Sequence, residues 1–410
     1  MRFSFDWVSF TIKPDMQRLH PFLINLGTVF RLLGIKDRSV RNSFTEVDLG
    51  AHRFYDHTYS FQGITLYVSN GALKGDIIGL SEIDSEKYFT YGINVEIKGS
   101  GCRYFEHLHD NDSDCWLKLF KALYGTVRTG AAVNICRVDF AFDDIIKHRE
   151  LREAILDLDN ISDAVHSKYG DSDSEITYVS SFRSVNEQCS VDRAKLYNPN
   201  TGQFEDYYAV GKTVYFGSFS SDTCCRFYDK HAEQHVKHRD DLLHLRDELG
   251  DIASWVRFKI VFRNEVAIKI INAYIRLSRK AFVHFLAKSI NAYIRFIIPD
   301  DSNISRCSVV EWWFDFIGSV EHSRIKVEGC TKNELITALA WVARCSNTFG
   351  ALIDNIGSDA FLTLILNTSN EEFYSARQRR IAGSDDMSDY VYSNLDVWRR
   401  NVPLIDYAAQ

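Results

Sequence analysis

The stretch Thr213–Lys230, TVYFGSFSSDTCCRFYDK, decides how this sequence folds and where its chemistry lies. Val214–Phe216 and Thr223–Tyr228 are rich in β-branched and aromatic residues, which favour strands. The glycine, serine and aspartate residues between them favour a turn. The stretch therefore predicts a β-hairpin, and its second arm carries the most reactive side chains.

Three of these side chains, Arg226, Tyr228 and Lys230, alternate along the second arm. Alternate residues of a strand share one face, so the three are expected to lie together. A phenol between two cations is suited to act as a nucleophile, because the cations reduce the cost of a phenolate and attract an anionic substrate. The same residue types also occur on solvated strand faces, and the pattern alone leaves both interpretations open.

The composition limits the class of protein. The chain has 410 residues, enough for two domains, and no long uncharged apolar segment that predicts a membrane span. Its nine cysteines include no C-x-x-C pair, which favours reduced thiols and a cytoplasmic protein. The net charge of −7 argues against indiscriminate nucleic-acid binding but leaves room for a local basic surface.

A second strand is predicted within Asn134–Asp144, where Asp139, Ala141 and Asp143 share a face. Two carboxylates on a mostly apolar strand are costly unless a cation joins them. Carboxylate oxygens are the ligands that Mg²⁺ and Mn²⁺ prefer, so this face predicts a divalent metal site. A structural ion pair between Asp139 and Arg137 is the alternative.

The first hundred residues predict further strands. Phe3–Ile12 alternates in a way that places Asp6, Val8 and Phe10 on one face. The other predicted strands are Thr45–Leu49, Thr58–Phe61, Ile64–Val68 and Gly92–Ile97. The turn Gly99–Arg103 follows the last of them, and its glycines permit either a close backbone approach to a ligand or a tight strand-to-helix connection.

Two histidine pairs suggest a different kind of site. His107 and His109 bracket a leucine, as the ligands of some metal sites do, and His231 and His235 are one helical turn apart. Because both pairs lie in polar surroundings without an evident third ligand, surface histidines are the simpler interpretation.

Taken together, these strings resemble the signature of the replication initiation factor family. The resemblance rests on T-V-Y-F-G-S-x-x-S-D-x-x-x-R-F-Y-D-K, on the turn Gly99–Arg103, on Arg137–Asp144 and, less closely, on Trp255–Arg263. The family includes rolling-circle plasmid initiators, relaxases of integrative elements and initiators of filamentous phages.

The resemblance implies an α+β fold, in which residues 1–265 form a catalytic nicking and joining core around a central antiparallel sheet and residues 266–410 form a mostly helical region that binds DNA or a partner. It implies that Tyr228 attacks an origin phosphodiester to form a 5′-phosphotyrosine. Arg226 and Lys230 would neutralise charge, and Asp139 and Asp143 would hold Mg²⁺ or Mn²⁺. The implied partners are single-stranded or hairpin origin DNA, a host helicase and a second copy in a homodimer.

One position departs from the family pattern. The family has a glutamate in the string W-x-R-x-E-x-x-x-R, and this sequence has Lys259 there. Either a third carboxylate comes from elsewhere, for example Glu96, or Lys259 supplies part of the cation's charge to the scissile phosphate. Together with the net negative charge, Lys259 keeps open a non-catalytic protein that binds or regulates the origin. A conjugative relaxase with the same chemistry is a further alternative, which transfer partners rather than the active site would distinguish.

The segment from 255 to 296 is strongly basic, with nine Lys and Arg residues against one acid, Glu265. Aromatic residues such as Tyr274 and Phe282 are interleaved, which favours contact with phosphates and stacking on bases. The residues predicted to bind DNA are Arg103, Arg257, Arg263, Lys269, Arg276, Arg279 and Lys280.

Beyond this segment, apolar residues three and four apart predict helices. The predicted ranges are Ser308–Ile317, Thr331–Cys345, Thr348–Ile356 and Ser358–Leu366.

Overall fold

The computed structural model describes residues 2–15, 17, 24–48, 54–74, 82–182, 184–198, 203–237, 251–322 and 349–368. The chain forms two compact units, Met1–Glu328 and Gly329–Gln410. The boundary expected at residue 265 was a functional division, and it stays a prediction. By its contacts, the first unit continues through the helices that follow residue 265.

A ten-stranded antiparallel sheet dominates the first unit, in the order β2-β3-β4-β5-β1-β6-β11-β10-β9-β8. Its strands are β1 Arg2–Pro14, β2 Thr45–Glu46, β3 His57–Phe61, β4 Ile64–Val68, β5 Ile93–Lys98, β6 Ala131–Lys147, β8 Val185–Asn198, β9 Gln203–Phe216, β10 Thr223–Asp229 and β11 Ile252–Arg263. A smaller sheet joins β7 Thr177–Ser180, β12 Ile294–Ile298 and β13 Ser308–Val309. The predicted α+β fold with a central antiparallel sheet is confirmed.

The helices of the first unit lie between these strands in the chain. They are α1 Leu26–Leu32, α2 Arg38–Asn42, α3 Asn70–Lys74, α4 Glu82–Tyr91, α5 Gly99–Leu108, α6 Cys115–Val127, α7 Leu158–Tyr169, α8 Lys230–Lys237, α9 Asn264–Arg276, α10 Arg279–Tyr293 and α11 Glu311–His322. In the second unit, residues 349–356 and α12 Ser358–Thr368 are helical. The predicted helix Thr331–Cys345 lies outside the described residues. No described helix is long and apolar enough to cross a membrane.

One face of the large sheet is built from phenylalanines, and helices cover it. Phe5 stacks on Trp116 of α6 at 4.8 Å between ring centroids, and Phe140 lies 6.0 Å from Phe282 of α10. Phe142 contacts Phe316 of α11 at 6.0 Å. Because alternate residues point to opposite faces, Asp139, Ala141 and Asp143 are left on the other side, as predicted.

A β-bulge interrupts β1 at Asp6. Phe5 pairs with Phe140 and Trp7 pairs with Asp139, so β1 has one residue more than β6 at this point. The prediction that Asp6 shares a face with Val8 and Phe10 is therefore wrong, because the bulge shifts the alternation by one. Asp6 lies instead on the same face as Asp139, Ala141 and Asp143, which we call the charged face.

The segment Gly99–Arg103 follows β5 directly and forms the beginning of α5. A Cβ on Gly101 would lie 2.2 Å from the carbonyl oxygen of Gly63, so only glycine fits there. Arg103 donates to the carbonyl oxygen of Phe5 at 2.6 Å and pairs with Glu106 at 2.7 Å. The turn is thus a strand-to-helix connection that supports the bulge, and the DNA contact of Arg103 stays a prediction.

Candidate active site

Tyr228 lies on the charged face, in line with one of the predicted carboxylates. It pairs with Arg257 of β11, which in turn pairs with Asp143 of β6. Tyr228 and Asp143 are thus two strands apart, roughly 10 Å between backbones. Phe227, the preceding residue, points into the core against Phe258, which fixes the opposite orientation of Tyr228.

The surroundings of Tyr228 favour the protonated phenol over the phenolate. Its side chain is only 6% exposed, and the Arg226 guanidinium lies 4.5 Å from its ring centroid. Burial raises the pKa of the Tyr228 phenol well above its ordinary value, and Arg257 and Arg226 offset only part of this effect. The charge of Arg226 thus lowers the cost of a phenolate, as expected, but burial has the larger effect on the pKa of Tyr228, and a proton acceptor is needed.

Lys230 lies beside this ring. Its Nζ is 5.9 Å from the ring centroid of Tyr228 and 2.5 Å from Oε2 of Glu233. The strand β10 ends at Asp229, and Lys230 is the first residue of α8. The predicted strand alternation of Arg226, Tyr228 and Lys230 therefore does not extend to Lys230. Burial, and then the charge of Arg257, lower the pKa of Lys230 to about 8. A neutral amine is thus accessible near neutral pH.

Acidic and basic side chains form a buried ion-pair cluster on the same face. Arg137 binds both oxygens of Asp139 at 2.7 Å, and Arg257 binds both oxygens of Asp143 at 2.6 and 2.8 Å. The indole of Trp255 also donates to Asp143 at 2.7 Å. The structural ion pair foreseen for Asp139 is therefore present.

The third carboxylate of the cluster is Asp6, which the sequence analysis did not identify. Its oxygens accept from Arg257 at 3.0 Å and from Lys259 at 2.5 Å. Burial alone would raise the pKa of Asp6, but Arg257 and Lys259 outweigh it, and the net pKa lies well below the ordinary value. The sequence does carry a signal: Phe3, Phe5, Val8 and Phe10 change phase around Asp6, as a bulge requires.

Glu96 does not join this cluster. Its carboxylate pairs with Lys98 at 2.8 Å and accepts from the hydroxyl of Tyr67 at 3.4 Å. In the described part of the chain, no three His, Cys, Asp or Glu side chains converge as a metal ion requires. His231 and His235 contact each other at 3.2 Å, and His109 contacts the carbonyl oxygen of Leu33.

The donor set on the charged face does not fit a divalent ion. The oxygens of Asp6, Asp139 and Asp143 already contact guanidinium, ammonium or indole donors. A hard cation needs several carboxylate or water oxygens that are free of competing cations. The Mg²⁺ or Mn²⁺ implied by the resemblance therefore stays a prediction without support from this geometry.

The residues predicted to bind DNA divide between two layers. Arg257 and Arg263 lie on the charged face, and the donors of Arg257 are engaged by Asp6 and Asp143. Apart from Arg103, which contacts Phe5, the others lie exposed on the helices that cover the phenylalanine face: Lys269, Arg276, Arg279 and Lys280.

The interleaved aromatic residues of these helices belong to the core. Tyr274 packs edge-on against Phe5 at 5.4 Å, and Phe282 lies within 4.9 Å of Tyr274. Both side chains are buried. The expectation that Tyr274 and Phe282 stack on bases is therefore wrong, because their spacing serves helix packing.

A cationic cavity of about 360 Å³ opens on the charged face. Its basic lining residues are Arg137, Arg226, Lys259 and Arg263, and its aromatic ones are Trp7, Tyr215 and Phe219. The buried indole N–H of Trp7 has no hydrogen-bond partner among the described residues. Four cations and a spare donor suit a phosphate group, and the aromatic rings suit a base.

Comparisons with known proteins identify the family. The family model described as replication initiation factor matches residues 133–361, and that of the rolling circle replication initiation protein N-terminal domain matches residues 29–122. The chain is 28% identical over 251 residues to the putative DNA relaxase NicK of Bacillus subtilis (strain 168), covering 59% of this chain and 60% of that relative.

The fold is also similar to a solved structure. The rolling circle replication initiator protein from Geobacillus stearothermophilus superposes with a TM-score of 0.52 at 22% identity, over 80% of this chain and 99% of that one. The match to the replication initiation factor model extends over more than half of the 410 residues and includes both Asp139 and Tyr228. This chain belongs to the replication initiation factor family.

Proposed function

We propose that the protein initiates rolling-circle replication by cutting and rejoining one strand of origin DNA through Tyr228. The observation that carries this proposal is the position of Arg226. Its guanidinium lies over the Tyr228 ring at 4.5 Å and also lines the cationic cavity. A phosphate held in that cavity would therefore lie beside the phenol.

The reaction is a transfer of one phosphoryl ester. The Oη of Tyr228 forms a bond to phosphorus, the bond from phosphorus to the 3′ oxygen breaks, and a 5′-phosphotyrosine remains. The departing 3′ oxygen takes a proton from water and becomes the hydroxyl that primes synthesis. Because the ester bond energy is kept, attack by a 3′-hydroxyl on the phosphotyrosine reverses the step and joins the strand without ATP.

The phenolic proton needs an acceptor, and Lys230 is suited to this role. Its position beside the ring and its pKa of about 8 make a neutral amine available while the phenol is still protonated. Glu233 then holds the resulting ammonium. This role differs from the charge neutralisation expected from the sequence.

The cations of the cavity stabilise charge on the phosphate. Arg226 and Lys259 pair with each other across β10 and β11. On this face of the sheet they are the next pair to Tyr228 and Arg257. Asp139 orients Lys259 and Arg137 through its ion pairs, and Asp143 orients Arg257. Pre-positioned donors of this kind typically contribute about 10² to 10³ in rate each.

A conjugative relaxase is the second candidate, favoured by the similarity to the putative DNA relaxase NicK. The chemistry at Tyr228 would be the same, and the setting of the nick site would differ. In both settings the partner is single-stranded or hairpin origin DNA. A host helicase and a second copy of the chain are further partners that we propose from the family.

The test is a covalent-adduct assay with the full chain. Labelled single-stranded oligonucleotides tiled across the element that encodes the protein are incubated with it, with and without Mg²⁺ or Mn²⁺, and resolved under denaturing conditions. We expect an adduct that Tyr228→Phe abolishes and that Tyr169→Phe, an exposed tyrosine on α7, retains. DNA binding without an adduct in any condition would indicate a non-catalytic origin-binding protein instead.

A further inference from the structure

Lys259 occupies the position that a shared cation would take between two strands. Its Nζ lies 2.5 Å from Oδ2 of Asp6 on β1 and 2.8 Å from Oδ2 of Asp139 on β6. The side chain is 7% exposed, so the ammonium is held between the carboxylates rather than in solvent. It also lines the cationic cavity.

The rest of the cluster leaves no negative charge uncompensated. The carboxylates of Asp6, Asp139 and Asp143 face the side chains of Arg137, Arg257 and Lys259, which is three charges of each sign. Buried carboxylates attract a metal ion when they lack such partners. These three are already paired.

A divalent ion would have to remove the lysine to bind here. It would then need oxygens from Asp6 and Asp139, with Arg137 and Arg257 still bound to the same carboxylates. Two guanidinium groups next to a doubly charged ion repel it, and in a buried site this repulsion is weakly screened. The cluster therefore favours its own ammonium over a metal.

We propose that Lys259 replaces the metal ion, so that this protein transfers DNA strands without a divalent cation; the inference rests on the proposed function. The bonds that form and break are those at Tyr228 given above, and Lys259 keeps its proton throughout. Its ammonium contacts a non-bridging oxygen of the phosphate held in the cavity, with Arg226 on the neighbouring strand. Asp6 and Asp139 keep the lysine in place.

The first experiment compares metal conditions in the adduct assay. The full wild-type chain is incubated with the tiled oligonucleotides in excess EDTA, in Mg²⁺ and in Mn²⁺. We expect adduct formation in EDTA at a rate within about twofold of that with either metal, because the charge is supplied by the protein. An adduct that forms only with metal overturns the inference while leaving the function of Tyr228 intact.

The second experiment exchanges the charge at position 259. Lys259→Met should reduce adduct formation by about 100-fold in EDTA, as the loss of one pre-positioned donor does. Lys259→Glu should be inactive in EDTA and regain activity with Mn²⁺, because it replaces the ammonium with a carboxylate. Lys121→Met, an exposed lysine on α6, is the matched control and should behave as wild type.

A binding measurement keeps the test independent of activity. Calorimetric titration with Mn²⁺ alone should give no saturable heat for the wild type and saturable binding for Lys259→Glu. This readout also remains informative if Lys259→Met fails to fold, which thermal unfolding would reveal. Saturable Mn²⁺ binding to the wild type that Tyr228→Phe retains would overturn the inference. The absence of any adduct in every condition would overturn the proposed function, and the inference with it.

Discussion

The two faces of the large sheet are built by the same strands, but one buries apolar side chains and the other buries charged ones. On one face, Phe140 and Phe142 of β6 pack under helices, and both are fully buried. On the other, Asp139 and Asp143 of the same strand are also buried, but within ion pairs. Burial of apolar area stabilises a fold directly, whereas buried ion pairs contribute little net stability because desolvation offsets their attraction. The charged face is therefore best explained by function, and the phenylalanine face by stability.

Removal of a phenylalanine should give the largest effect on folding. Phe140→Ala leaves a cavity between β6, α10 and the neighbouring rings, so we expect a loss of about 4 kcal/mol in the free energy of unfolding, measured by urea denaturation. Phe219→Ala provides the control, because that ring is 62% exposed and its loss should change stability by less than about 0.5 kcal/mol. A small effect at Phe140 would mean that the helices do not depend on this face.

Removal of a carboxylate should cost somewhat less and for a different reason. Asp139→Ala leaves Arg137 and Lys259 buried with one partner fewer, and we expect a loss of about 3 kcal/mol in the free energy of unfolding. Asp163→Ala, at an exposed position on α7, should leave stability unchanged. If Asp139→Ala is as stable as the wild type, the cluster is not held together by its ion pairs.

The alternation of residues explains how much of this arrangement the sequence predicts. A strand with Phe140 and Phe142 on one side must place Asp139 and Asp143 on the other, so the charged face of β6 follows from sequence alone. The same argument holds for Tyr228 opposite Phe227. Pairing between distant strands, by contrast, depends on the whole sheet, and the sequence does not reveal which cation meets which carboxylate.

Two kinds of feature escaped prediction for physical reasons. The bulge places Asp6 on the charged face, whereas alternation counted back from Val8 and Phe10 places it on the core face. The burial of Tyr228, which raises the pKa of its phenol, was not predicted either, because burial depends on neighbours that local sequence does not specify. Similarly, the basic segment after residue 255 was divided between two layers when α9 and α10 packed on the phenylalanine face.

The rate of adduct formation should depend on pH through the protonation state of Lys230. If Lys230 accepts the proton of the Tyr228 phenol as proposed, it reacts as the neutral amine, whose fraction rises with pH through about 8. We expect the rate to fall about tenfold for each pH unit below that value and to level off above it. Burial lowers the pKa of Lys230 most and the charge of Arg257 lowers it further, whereas Glu233 and Asp6 raise it.

A change at Glu233 sharpens this prediction. Glu233→Gln removes a charge that raises the pKa of Lys230, so the rising part of the profile should move to lower pH. Lys230→Met should lose the plateau and react slowly at every pH, in single-turnover measurements of adduct formation. A rate that continues to rise up to pH 10 in the wild type would indicate that the Tyr228 phenol loses its proton directly to solvent.

The smallest effect concerns how each face contributes to DNA binding. Arg263 lines the cationic cavity, whereas Lys280 is exposed on α10, which covers the other face. If the cavity side carries the strand, Arg263→Gln should reduce the slope of log K against log salt concentration by about 1, because one phosphate contact is lost. Lys280→Gln should change the slope by less, as measured by fluorescence anisotropy with single-stranded DNA across a salt series.

Equal changes for the two variants would mean that the DNA strand also contacts the helical layer, which was the expectation from the basic segment. The comparison thus decides whether DNA contacts one face of the sheet or both.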